Sequence, residues 1–191
     1  MRLVKVLLLV LLMTGTLASC TSEPKSSRAH SSALWEHHET VGALVSGSDV
    51  VIRATVLKRV GLQTVDYGSV RGGPLAYTDT LVSVEKYLKG TGASELVIRQ
   101  LGSVDSSGAS SLPDLPILRG QSRVLLFLKD VTSNPQNVSG APLYGIVSPE
   151  GLYEISGNRL VTVALGHEVT DTADRTPLDA FERLIEAAAA R

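Results

Sequence analysis

Cysteine occurs once in the chain, at Cys20, and its thiol is the strongest nucleophile the sequence offers. A single cysteine excludes an intramolecular disulfide and a cysteine-based metal cluster. The remaining reactive types are scattered. A serine three residues before a lysine occurs at Ser22–Lys25 and at Ser83–Lys86. The first pair lies in a polar stretch with nothing to hold a nucleophile. The second lies on an expected strand, where residues three apart face opposite sides and cannot share a proton. His37 and His38 are neighbours flanked by Glu36 and Glu39. Adjacent residues on a helix diverge by about 100°, so this group reads as solvated side chains beside Trp35 rather than as a ligand set. His30 lies in the polar stretch, and His167-Glu168 precedes Asp171 and Asp174 in an expected loop. The loops holding Asp66 and Asp105 are too poor in oxygen ligands for calcium. There is no Gly-x-Ser-x-Gly elbow, no phosphate loop, no dinucleotide turn and no His-Glu-x-x-His helix. The expectation is therefore no catalytic set, no cofactor and no metal.

What the thiol is for follows from the residues before it. Arg2 and Lys5 make a short basic end, Val6 to Met13 is an uncharged apolar run, and small and polar residues follow. That order is a secretory signal, too short for a membrane span of about 20 apolar residues. It ends at Leu17-Ala18-Ser19-Cys20, which resembles the lipobox of bacterial lipoproteins: an aliphatic residue, two small ones, then cysteine. The resemblance implies that residues 1–19 are removed and that the Cys20 thiol carries a diacylglycerol. Each buried methylene contributes about 0.8 kcal/mol, so two acyl chains anchor durably. Thr21 follows the cysteine, which allows an outer-membrane destination as well as the cell membrane, on the extracytoplasmic face either way. A plain secretory signal cleaved nearby, with Cys20 as a bystander, and an uncleaved anchor are the alternatives.

Composition narrows the partners. The chain has 18 basic and 19 acidic residues, and the signal takes only Arg2 and Lys5 away, so the mature part is mildly acidic. That balance excludes nucleic-acid binding by phosphate neutralisation. Over the whole chain it supplies no polybasic attraction to lipid. Aromatic residues make up 4% of the sequence, too few for a stacking platform of any size.

These residues need a scaffold, and the rest of the chain describes one. Residues 20–32 read as the lipidated cysteine and a flexible polar tether. Residues 33–191 have the length of one domain. Trp35 to Val45 is expected as a short helix ended by Gly47. Alternation then predicts strands at Asp49–Leu57, Thr78–Leu88, Leu96–Leu101 and Val124–Leu128, the last apolar on both faces and therefore central. Leu143–Val147 and Leu152–Ile155 flank Ser148-Pro149-Glu150-Gly151 and read as a hairpin. Gly157-Asn158 turns into Leu160–Ala164. Gly61–Ala76 and Gly102–Gly120 are expected loops. The C-terminal helix is placed at 176–190, with Thr176 as cap, Pro177 first, and Asp179 completing a capping box. Its Leu178, Phe181, Leu184, Ile185 and Ala188 form an apolar stripe suited to core packing.

The fold class expected is mainly β with flanking helices: a small Greek-key barrel that resembles the OB type. Ser48-Asp49-Val50-Val51, Tyr77-Thr78, Val84-Glu85-Lys86-Tyr87-Leu88-Lys89-Gly90 and Leu125-Leu126-Phe127-Leu128 resemble phrases of exported bacterial proteins. The pattern is also distantly similar to the barrel of tissue metalloproteinase inhibitors. In that family an N-terminal cysteine chelates the target's zinc through a free amine and disulfides staple the fold, whereas here Cys20 is expected to carry lipid, no other cysteine exists and a tether separates it from the barrel. Likeness to OB-type barrels implies ligand recognition on one face of the early strands and the loops beside it. Here that surface is Arg53, Thr55, Tyr67, Tyr77, Ser83, Glu85 and Arg99. The expected function is a membrane-anchored, non-enzymatic binding module for a protein or envelope partner. A hydrolase of unrecognised type and a structural envelope protein are the alternatives.

Overall fold

The computed structural model describes residues 36–65, 75–103, 117–134, 137, 141–162 and 168–191. Cys20, the signal, the tether, Trp35, Tyr67, His167 and the Asp66 and Asp105 loops lie outside the described residues. The elements run α1 (Val41–Gly47), β1 (Val50–Val65), β2 (Leu75–Lys89), β3 (Glu95–Leu101), β4 (Arg123–Asp130), β5 (Leu143–Ile146), β6 (Leu152–Ser156), β7 (Arg159–Thr162), α2 (Glu168–Arg175) and α3 (Leu178–Ala189). The protein is mainly β, with one seven-stranded sheet and three helices.

Pairing follows the hydrophobic alternation. β1 pairs antiparallel with β2 along nearly its whole length, and β2 with β3. β3 pairs in parallel with β5, β5 with β4, and β4 returns to β1 through Val50–Thr55. The bonded strands thus form a cycle, β1-β2-β3-β5-β4-β1. β7 attaches outside it through β6.

The strands β1, β4 and β6 bury both faces in different company. Ile52, Ala54, Val56, Val82, Ile98, Val124 and Leu126 share one cluster. Val51, Leu125, Phe127 and Tyr153, one residue out of step, share the other with Leu44, Val45, Val169, Phe181 and Ile185 from the helices. The helices therefore cover one outer patch of the sheet. The Tyr153 ring lies 6.0 Å from Phe127 and 5.8 Å from Phe181, joining sheet to α3. Both clusters and all seven strands fall within Ser31–Arg191, a compact unit with its own core and so a domain able to fold alone.

Several expectations change. Helix α1 starts at Val41 rather than Trp35, because the Thr40 hydroxyl accepts from the Ala43 amide at 3.1 Å and fixes the start there. Glu36 to Glu39 are not helical. The expected loop after Leu57 is strand on both sides, since Lys58–Val65 pairs with Leu75–Leu81. The hairpin at Ser148–Gly151 does not exist. β5 and β6 run in the same direction along one edge of β4, Lys129 opposite Gly145 and Leu125 opposite Tyr153. A 3-10 turn at Pro149–Gly151 interrupts them. Proline at its start permits the turn, and Val147 still donates to Phe127. The stretch after residue 167 is a helix, α2, ended by Arg175. Thr176 does not cap α3; its hydroxyl donates to the Thr172 carbonyl at 2.6 Å and so closes α2. Pro177 is the cap of α3, with no side-chain bond. The expected strand Leu160–Ala164 is described as far as Thr162, and Val163 and Ala164 lie outside the described residues. No helix among the described residues is long and apolar enough to cross a membrane.

Candidate functional site

The surface expected from the sequence separates into two places. Arg53, Thr55, Ser83 and Glu85 come together on β1 and β2, where Thr55 is opposite Ser83 and Arg53 opposite Lys86. Glu85 sits at a register shift, between Val84 opposite Ala54 and Lys86 opposite Arg53. The extra residue turns its carboxylate toward Arg53 and across to β4. It accepts from Arg123 Nε at 3.0 Å and Nη2 at 2.7 Å, from Thr55 Oγ1 at 2.7 Å and from Arg53 Nε at 3.0 Å. Arg53 Nη1 also donates to Glu182 of α3 at 2.7 Å, and Lys86 donates to Glu182 at 3.1 Å. The Arg123 hydrogen bonds, with those of Thr55 and the charge of Arg53, lower the Glu85 pKa to about 2 against a partial desolvation cost. A carboxylate held ionised so far below neutrality has no proton to exchange there. This group stitches α3 to the strands.

Tyr77 and Arg99 lie elsewhere, over β2 and β3. Arg99 is buried, and its Nε and Nη2 donate to the two Asp79 oxygens at 2.8 and 2.7 Å. Its guanidinium carbon is 6.0 Å from the centre of the Tyr77 ring. The register sets a row across the sheet: Gly61, Asp79, Arg99, Gly145 and Lys129. Glycine at 145 leaves the middle of that row low. A Cβ added there would stand 3.5 Å from Val131. The result is a cleft of about 280 Å³. Tyr77, Arg99, Lys129, Asn134 and Glu36 supply polar groups, and Leu101, Val131 and Ile146 apolar ones. Lys129 is more than half exposed and only loosely held, 3.8 Å from Asp49 and 3.5 Å from the Gly47 carbonyl. Glu36 stands on the same cleft.

Sequence reasoning missed a third group. His37 Nδ1 is 2.8 Å from Glu150 Oε1, and the Glu150 carboxyl is fully buried. His38, expected in solvent, is buried against α1. A Cβ on Gly47 would come within 2.8 Å of its ring. The histidines thus fasten Glu36–Thr40 to the turn between β5 and β6. Tyr153 is close enough for the Glu150 charge, added to burial, to push its hydroxyl pKa upward. His37 and Glu150 are 113 residues apart, and no local pattern links them. No group of three or more His, Cys, Asp or Glu residues among those described can hold a metal ion.

Comparison of the chain with protein-family models, curated proteins and solved structures finds no match. The functional reading therefore rests on the residues and their arrangement.

Proposed function

We propose that this chain is a lipid-anchored extracytoplasmic binding module, held to a membrane through a diacylglycerol on Cys20 and recognising a protein or envelope ligand in the Tyr77–Arg99–Lys129 cleft. The Leu17-Ala18-Ser19-Cys20 lipobox supports the anchor. The strand cycle, with β3 and β5 parallel, supports an OB-type Greek-key barrel as the scaffold. The observation that carries the binding role is the cleft itself: apolar walls with a few convergent polar groups, one of them a guanidinium fixed in place by a buried carboxylate. Preset polar groups cost little to order when a ligand arrives.

A photo-activated cross-linker at Val131, which lines the cleft, tests the role in the native envelope. The same probe at Val161, an exposed position on β7, is the control. The expected result is one stoichiometric adduct from position 131, lost on Lys129→Glu, and none from position 161. Equal or absent labelling from both positions contradicts a ligand site here.

A further inference from the structure

The distal arm of β1 is built unlike the rest of the sheet. Beyond Thr55 the strand leaves β4, and after Val56 bonds with Gln121 and Ser122 its outer edge has no strand partner among the described residues. Three of the five exposed large apolar side chains in the described chain fall here: Leu57, Val60 and Leu62, at 40%, 48% and 58% exposure. Lys58 and Arg59 are exposed between them, and Arg119 is exposed on the segment that crosses Leu57, where a Cβ on Gly120 would stand 3.7 Å from the Leu57 carbonyl. None of the three cations makes an ion pair among the described residues. The acid opposite the arm, Asp79, is buried and spent on Arg99. Among the described residues, the arm therefore joins uncovered aliphatic side chains to positive charge that has no ion-pair partner.

We propose that this arm is an interfacial membrane contact that prefers anionic lipid. It goes beyond the anchoring role, adding a second foothold to the lipid on Cys20. The charge pattern fits a negatively charged headgroup layer, and the aliphatic groups fit the boundary beneath it. An open strand edge keeps polar backbone groups that hydrocarbon would leave unsatisfied, so the contact is shallow and does not span. A second copy of the chain fits this edge poorly. Register shifts at Val56/Lys58 and Arg59/Gly61 break its flatness, and lysine and arginine along an edge oppose strand pairing. The whole-chain charge does not reveal this local grouping of Lys58, Arg59 and Arg119. Residues between Cys20 and Glu36 reach roughly 55 Å when extended, which leaves the arm free to meet the bilayer.

The test uses residues 31–191, the self-contained domain, which carries no acyl group and no cysteine. Sedimentation with vesicles of phosphatidylcholine alone is compared with equimolar phosphatidylglycerol and phosphatidylcholine. The domain is expected to bind the anionic vesicles and not the neutral ones. Lys58→Gln, Arg59→Gln and Arg119→Gln are each expected to lower partitioning about five-fold, and Leu62→Ser several-fold. An environment-sensitive dye on Thr64→Cys, the single thiol of that domain, is expected to shift to the blue on binding. Circular dichroism checks that each variant is folded. Failure to bind anionic vesicles, binding that ignores these substitutions, or an unshifted dye overturns the proposal. So does a dimer that Leu62→Ser dissolves, which would assign the arm to a second copy.

Discussion

Glu85 shows how the place of a side chain can be read from sequence while most of its partners cannot. Its strand and its proximity to Arg53 and Thr55 follow from alternation. What alternation does not show is that Arg123, from a strand far along the chain, and Glu182, from α3, complete the charges around it. The surface is electrostatically closed on itself. Its folded carboxyl, with a pKa of about 2, lies below the ordinary 4.5. A depressed carboxyl stabilises the fold fully above the unfolded value and loses that contribution as pH falls toward the folded one. Glu85→Gln is therefore expected to cost about 1 kcal/mol near neutrality, modest because the group is partly solvated, and to flatten the acid side of the stability profile between pH 4.5 and 2. Urea midpoints of both proteins across that range measure it. Parallel profiles would show that Glu85 is not the group being titrated.

At the scale of elements, α3 closes the outer core cluster. Phe181 is fully buried against Tyr153, and Ile185 lies one turn on. Phe181→Ala is expected to cost about 3–5 kcal/mol through lost burial and the cavity left behind. Val161→Ala, at an exposed position, is expected to stay within about 0.5 kcal/mol. Chemical denaturation distinguishes them, and equal costs would mean that α3 does not hold the core. This helix was legible because its stripe is local and periodic. So was β4, whose Val124–Leu128 run is buried throughout and bonded on both edges. Helix α2 was not, because Glu168, Thr170, Asp171, Thr172 and Asp174 weaken its apolar signal while tertiary packing of Val169 and Ala173 supplies it. The apparent hairpin at Ser148–Gly151 misled because a turn motif between two apolar runs also fits a strand that is broken and resumed along the same neighbour. The long arm of β1 was hidden by register shifts that spoil its period. The candidate cleft was half legible: Tyr77 and Arg99 were singled out, whereas Lys129, Val131 and Gly145 join them only through the parallel β3–β5 pairing.

Over the whole molecule, the proposed roles fall on separate surfaces. One outer patch of the sheet is covered by helices and locked by ion pairs. The cleft lies beside Glu36, and the cationic arm is the distal part of β1. In the proposed arrangement the lipid confines the domain near a bilayer, the arm favours one headgroup chemistry, and the cleft is left for the ligand. Confinement raises the effective concentration of every later contact, so weak surface interactions gain weight once the anchor exists. All of this depends on what Cys20 becomes. Mass spectrometry of the N-terminal peptide from the native membrane-bound protein decides it. The proposal requires a peptide that begins at Cys20 and carries the added mass of a thioether-linked diacylglycerol; a peptide beginning at Met1, or an unmodified Cys20 thiol, contradicts it.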